Sequence, residues 1–184
     1  MVKLLFVLAA LTGCTTVAST VPRNLEAIPP DSGIVLGRLG FVAKKKIALQ
    51  KFRLAAVQLP DGDRYWIHAL PGGDSDEEAG SFFVSLPPGH YRLTEWLASA
   101  ADGEWAGEDA GLSMEVLSGQ AVCVGALYVH PRERQMFRLE ELQEPPTVVR
   151  DECEALGEML RQRSPSLSRG ALVKVAQPES RRRS

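Results

Sequence analysis

The chain has 184 residues, 45% of them hydrophobic, with 21 basic and 23 acidic side chains and a formal charge of −2. That length can bury a real core in one domain, and the near-balanced charge argues against an extended nucleic-acid surface. No apolar run after the first residues approaches membrane-spanning length.

The first element is the leader MVKLLFVLAALTGC. Lys3 is the only charge before Arg23, and Leu4 to Leu11 are apolar throughout. Eight helical residues rise about 12 Å, far short of the ~30 Å hydrocarbon core, so the run cannot span a bilayer. A positive start, a short apolar stretch and small residues predict a cleavable export signal. Leu11-Thr12-Gly13-Cys14 resembles the bacterial lipobox. The resemblance implies cleavage between Gly13 and Cys14, a diacylglycerol thioether on the Cys14 sulfur, and N-acylation. It also implies the outer membrane, facing the periplasm, if the cell has two membranes, because Thr15 stands where an Asp favours inner-membrane retention. An ordinary signal peptide with a chance cysteine, or an N-terminal core strand, are the alternatives.

Residues 15 to 32 are rich in Thr, Ser and Pro and read as a tether, so that the domain starts at Gly33. Short strand signals follow over Gly33 to Val42, Phe52 to Leu59 and Arg64 to Leu70. Phe82, Val84 and Leu86 share one face at period two. Pro87-Pro88-Gly89-His90 then predicts a type II turn closing a hairpin onto Tyr91 to Leu97, with Tyr91, Leu93 and Leu97 inward and Glu95 interrupting that face. Ala98 to Gly111 reads as a polar loop exposing Trp105, the aromatic best placed for a contact. Leu112 to Val116 alternates. Ala121 to Val129 is apolar on both faces, as a central strand would be. Arg134 to Leu139 is a candidate edge strand.

The period changes at Asp151. Asp151 as N-cap with Glu154 reaching back would open a helix whose apolar face is Cys153, Leu156, Met159 and Leu160, stopped by Pro165. Residues 166–184, ending in Arg181-Arg182-Arg183, read as a basic disordered tail. The fold class expected is mainly β: an antiparallel β-sandwich of about seven strands over residues 33–165 with one C-terminal amphipathic helix. The Phe82 to Leu93 stretch around PPG-x-Y resembles transthyretin-like and carboxypeptidase-regulatory-like β-sandwiches. Met114-Glu115-Val116, the Gly119-Gln120 turn, Val124 to Tyr128 and the Val148 to Glu152 helix lead-in resemble uncharacterised bacterial lipoproteins. Those resemblances imply a folding, docking or binding unit and carry over no functional residue.

Chemistry is sparse. Cys123 and Cys153 could bridge in an oxidising compartment or stay as buried thiols. His68, His90 and His130 are scattered, no CxxC occurs, and neither metal nor cofactor is expected. Gly73-Asp74-Ser75 resembles the GDS block of an esterase/lipase family, but Leu127 stands where its DxxH needs an acid. Asp74 to Glu78 lacks the Gly and Glu of a calcium loop. Lys44 to Lys46 and the arginine tail read as solvated. The function expected is a non-catalytic, lipid-anchored envelope module with a protein or glycan partner and no nucleic acid. An envelope hydrolase with an unrecognised site, and an accessory lipoprotein of a secretion or motility complex, are the alternatives.

Overall fold

The computed structural model describes residues 15–21, 23, 25–41, 49–69, 80–101, 103–129, 147–169 and 173–175. In chain order these form β1 (Thr15–Val17), β2 (Ser19–Thr20), β3 (Gly33–Phe41), β4 (Leu49–Leu59), β5 (Arg64–His68), β6 (Ser81–Leu86), β7 (Gly89–Ala100), β8 (Gly103–Val116), β9 (Ala121–Val129), β10 (Thr147–Arg150), the helix α1 (Cys153–Arg163), a 3-10 turn (Pro165–Arg169) and β11 (Val173–Val175). The first sheet runs β1-β5-β4-β7-β8. The second runs β10-β9-β3-β6-β2, with β11 also on β9. The expected β-sandwich with a C-terminal helix is therefore present, built on the seven strands β3 to β9. Its pairing is mostly antiparallel, but β3–β9, β1–β5 and β9–β11 are parallel.

Alternation decides what each layer buries. Val35, Phe82, Val84, Leu86, Val122 and Val124 point from the second sheet into the sandwich, onto Leu54, Ala56, Tyr91, Leu93 and Trp96 of the first. Their neighbours Ile34, Leu36, Phe83, Ala121 and Cys123 point the other way, under Cys153, Leu156 and Leu160 of α1. The second sheet is thus buried on both faces, which explains why Ser81-Phe82-Phe83-Val84 and Ala121 to Leu127 are almost continuously apolar.

Two bulges reset this alternation. Between Leu36↔Cys123 and Arg38↔Ala126, β9 carries one more residue than β3, and Gly125 sits at φ 76° in the bulge. A left-handed residue is least costly as glycine. The inserted residue turns Leu127 and Val129 inward and Tyr128 outward. On β7 the pairing with β4 skips Thr94, between Ala55↔Glu95 and Ala56↔Leu93. That skip sends Trp96 and Ala98 into the core and leaves Leu97 half-buried on the outer face. The expected inward Leu97 and the apparent interruption at Glu95 are both corrected by this slip.

Pro87-Pro88 does not close a hairpin. β6 and β7 lie in different sheets, and the prolines, which have no N–H for a ladder, carry the chain across the sandwich. The Tyr91 hydroxyl donates to the Pro87 carbonyl at 2.8 Å and the Gln58 amide to that of Pro88 at 3.2 Å, pinning the corner. Burial, reinforced by Tyr65 and Asp63, pushes the Tyr91 phenol far above its ordinary range. Replacing Tyr91 with Phe is expected to cost about 1–2 kcal/mol, read from the denaturant midpoint. The unfolded phenol ionises near pH ~10 while the native one does not, so stability is full below that pH and falls above it. The Phe variant should lose less on that alkaline limb.

The remaining differences lie in weakly patterned segments. Residues 98–111 largely continue β7 into the long β7–β8 pairing, Ser99↔Glu104 and Ala100↔Gly103 included. The supposed tether holds two strands: Thr15 to Val17 pair with β5, and Ser19 and Thr20 with β6. Val21 is buried, and Leu25 and Ile28 pack beside α1. The supposed tail supplies buried Leu167 and β11. Edge strands bond through their backbones, so polar side chains do not disqualify them. Residues 1–14, 22, 24, 42–48, 70–79, 102, 130–146, 170–172 and 176–184 fall outside the described residues. With them go the leader, Gly13, Cys14, Lys44 to Lys46, the Asp74 to Glu78 loop, His130, the Arg134 to Leu139 candidate strand and the arginine tail.

Candidate functional site

The start of α1 is where polar chemistry gathers. Cys153 is joined to Cys123 on β9 by a disulfide, Cα to Cα 5.7 Å, which resolves the two open readings of these cysteines in favour of the bridge. One residue earlier, Glu152 spends both carboxylate oxygens on the second sheet. Tyr128 donates its hydroxyl to Oε1 at 2.7 Å, and Arg38 donates from its guanidinium to Oε2 at 3.0 Å. Arg38 and Glu152 are each 23% exposed, so the pair is shielded without being dry. Arg38 also reaches the Ser81 hydroxyl at 3.4 Å and the Met159 sulfur at 3.8 Å.

The sequence builds this cluster through its strand phase. The Gly125 bulge turns Tyr128 to the outer face, where its ring lies across Gly40. A Cβ at residue 40 would sit 2.4 Å from that ring, so glycine is required there. Arg150 stacks on the ring at 4.6 Å. The bond to Glu152, then burial and the Glu152 charge, raise the Tyr128 pKa against the opposing pull of Arg150 and Arg38. The phenol therefore stays a proton donor and is no nucleophile at neutral pH. The expected helix cap is corrected: Glu152 is the N-cap residue and makes no side-chain cap bond, while Asp151 accepts from the Cys153 amide at 3.1 Å. Glu154 is exposed and only lines the first turn.

This arrangement works as a clamp. It holds α1 to β3 and β9 by two bonds from Glu152 and one from Cys153. Glu152→Ala would leave Arg38 half-buried without this carboxylate and is expected to cost about 1–3 kcal/mol, measured as a fall in Tm. Glu152→Gln, which keeps an acceptor for Tyr128, should recover part of that loss.

A second set of side chains covers the outer face of the first sheet. Arg53 stacks on Trp66 at 4.4 Å, and Arg64 pairs with Glu95 at 2.7 Å. Lys51 and His68 are exposed on the same face. Partial burial, then the Arg53 and Lys51 charges, lower the His68 pKa. Val17 is 62% exposed and stands opposite Trp66 across the β1–β5 pairing.

Trp105, expected as an exposed contact, is half-buried and packs against the inter-sheet core, because its strand pairs it with inward-facing Ala98. His68 and His90 sit apart on β5 and β7. Among the described residues no three His, Cys, Asp or Glu side chains gather as a metal site, and no helix is long and apolar enough to cross a membrane. Arg38, Tyr128 and Glu152 escaped the sequence reading because their meeting depends on a bulge. The signal was there in outline: a glycine inside an otherwise apolar strand marks a phase change.

No family model and no curated protein matches the chain. Among solved structures, a leucine-rich repeat protein from Bacteroides thetaiotaomicron is similar at 16% identity and a TM-score of 0.36, over 59% of this chain and 15% of that one. The chain thus spans only a small part of that protein's length, and a likeness at this level carries no argument about function.

Proposed function

We propose that the protein is a non-catalytic, lipid-anchored module of a bacterial cell envelope. It faces the periplasm, and it docks a protein or glycan partner. The observation that carries this reading is Leu11-Thr12-Gly13-Cys14 closing an apolar run of signal length. The Cys123–Cys153 disulfide supports it, since such bonds persist in exported compartments. The outer membrane is the destination this reading favours, because Thr15 follows the lipid-bearing residue.

Two or three acyl chains at ~0.8 kcal/mol per buried CH2 hold a chain permanently at a bilayer. Cys14→Ala is therefore expected to move the protein from the membrane to the soluble fraction, with the sandwich still folded by circular dichroism. Mass spectrometry of the mature wild-type chain should show an acylated N-terminal cysteine. A Cys14→Ala protein that stayed with the membrane would overturn the reading.

A further inference from the structure

We propose that the β1–β5–β4 side of the first sheet's outer face lies directly on an anionic phospholipid surface, held there by the neighbouring N-terminal anchor. The inference rests on acylation of Cys14, and it adds which surface of the domain meets the bilayer.

Proximity comes first. Thr15 is already in β1, paired with Arg64. The Cα of Cys14 lies about 3.8 Å from that of Thr15, so an acyl chain on residue 14 emerges at the sheet margin with no slack between. Two surfaces beside it carry described charged side chains, this face and the adjoining end of the sandwich.

The chemistry of the two surfaces differs. The end presents exposed Leu59, but also Asp61 and Asp63 in the β4–β5 turn, which an anionic surface repels. On β4 and β5 the face carries Lys51, Arg53 and Arg64, and Glu95 of the neighbouring β7 pairs with Arg64. Its other carboxylates on described side chains, Glu104 and Glu115, lie on β8 at the far margin. Among the described side chains, basic groups therefore gather beside the anchor and carboxylates at the far margin. Basic side chains next to a lipid anchor are what anionic leaflets attract. Trp66, with an apolar ring and an N–H, suits the headgroup layer, and exposed Val17 beside it suits the layer just below. Burial first, and then the charges of Arg53 and Lys51, lower the His68 pKa, so the smaller part of that shift comes from the same basic groups.

The test uses the lipidated full-length protein in vesicles of phosphatidylcholine with or without phosphatidylglycerol, doped with a headgroup nitroxide lipid. With Cys14 acylated and Cys123–Cys153 bridged, a cysteine placed at residue 68 or 158 takes a single fluorophore. Residue 68 is at the distal end of β5, about 13 Å along the strand from Arg64, so it approaches the lipid only if the face lies down. Glu158 is exposed on α1, on the opposite side of the molecule. Strong quenching at 68 and weak quenching at 158, lost in phosphatidylcholine alone and in the Lys51→Glu, Arg53→Glu double variant, is the expected result. High salt should weaken it. A chain that floats with phosphatidylglycerol vesicles yet leaves residue 68 unquenched overturns the proposal alone, and leaves that face for a protein partner. A chain whose Cys14 is unacylated by mass and that fails to float removes the anchor reading itself.

Discussion

Replacing Cys153 with alanine is expected to lower stability by about 3–4 kcal/mol, the loop-closure value for residues 30 apart. For a domain of this size that is a fall in Tm of roughly 7–15 °C. The effect should be specific to α1. The helix packs on the second sheet's outer face, and the bridge fastens its first residue to β9, next to Glu152, which binds β3 and β9. Calorimetry with and without reductant checks this: reductant should move the wild type to the variant's Tm and leave the variant unmoved. Cys123 is fully buried and Cys153 is 8% exposed, so reduction should be slow unless the helix opens. A wild type indifferent to reductant would mean that the bridge holds nothing the packing does not already hold.

Phe83→Ala is expected to cost about 3–5 kcal/mol, at the high end for a core truncation. Phe83 is 1% exposed, and it sits on the outward side of β6. Three elements meet on it. Arg163 of α1 stacks over its ring at 5.6 Å, and its backbone carbonyl accepts from the Val21 amide at 2.8 Å. The same Arg163 donates to the Val21 carbonyl at 3.1 Å. Removing the ring leaves a cavity between helix, sheet and N-terminal segment that none of them can fill alone. Phe83→Leu should lose much less. If Phe83→Ala cost under about 1 kcal/mol, α1 would be a loosely attached appendage.

Period two carried the sequence reading a long way. Phe82, Val84 and Leu86 sharing one inward face, the central position of Ala121 to Val129, and the amphipathic helix at Cys153 all rest on local alternation, and all appear in the structure. Failures came where a single residue changes the phase or where pairing is long-range. Thr94 and Gly125 each shift a strand, and the side chains beyond them exchange faces, which hid both the true direction of Leu97 and the meeting of Arg38, Tyr128 and Glu152. Pro88-Gly89 carries turn chemistry that is correct for a bend but silent on which sheet comes next. Thr15 to Thr20 and Val173 to Val175 gain their order from partner strands tens of residues away, and no window along the chain contains those partners. Of the candidate site, only the cysteines were legible, and the sequence left a bridge and two buried thiols open.

The central strand of the second sheet bears on how the molecule comes into being. β3 has β6 on one side and, in parallel, β9 on the other, joining residue 34 to residue 121. A chain threaded outward from its N-terminus must hold β3 in waiting until well over half the polypeptide has emerged. Such distant parallel pairing places the domain among slow folders, on the order of milliseconds to seconds. During that wait Ile34, Val35 and Leu36 lie open, an adhesive edge of the kind a holdase chaperone covers. The Cys123–Cys153 link spans a much shorter stretch and can close first, so oxidation can prepare β9 and α1 as a landing surface before β3 arrives.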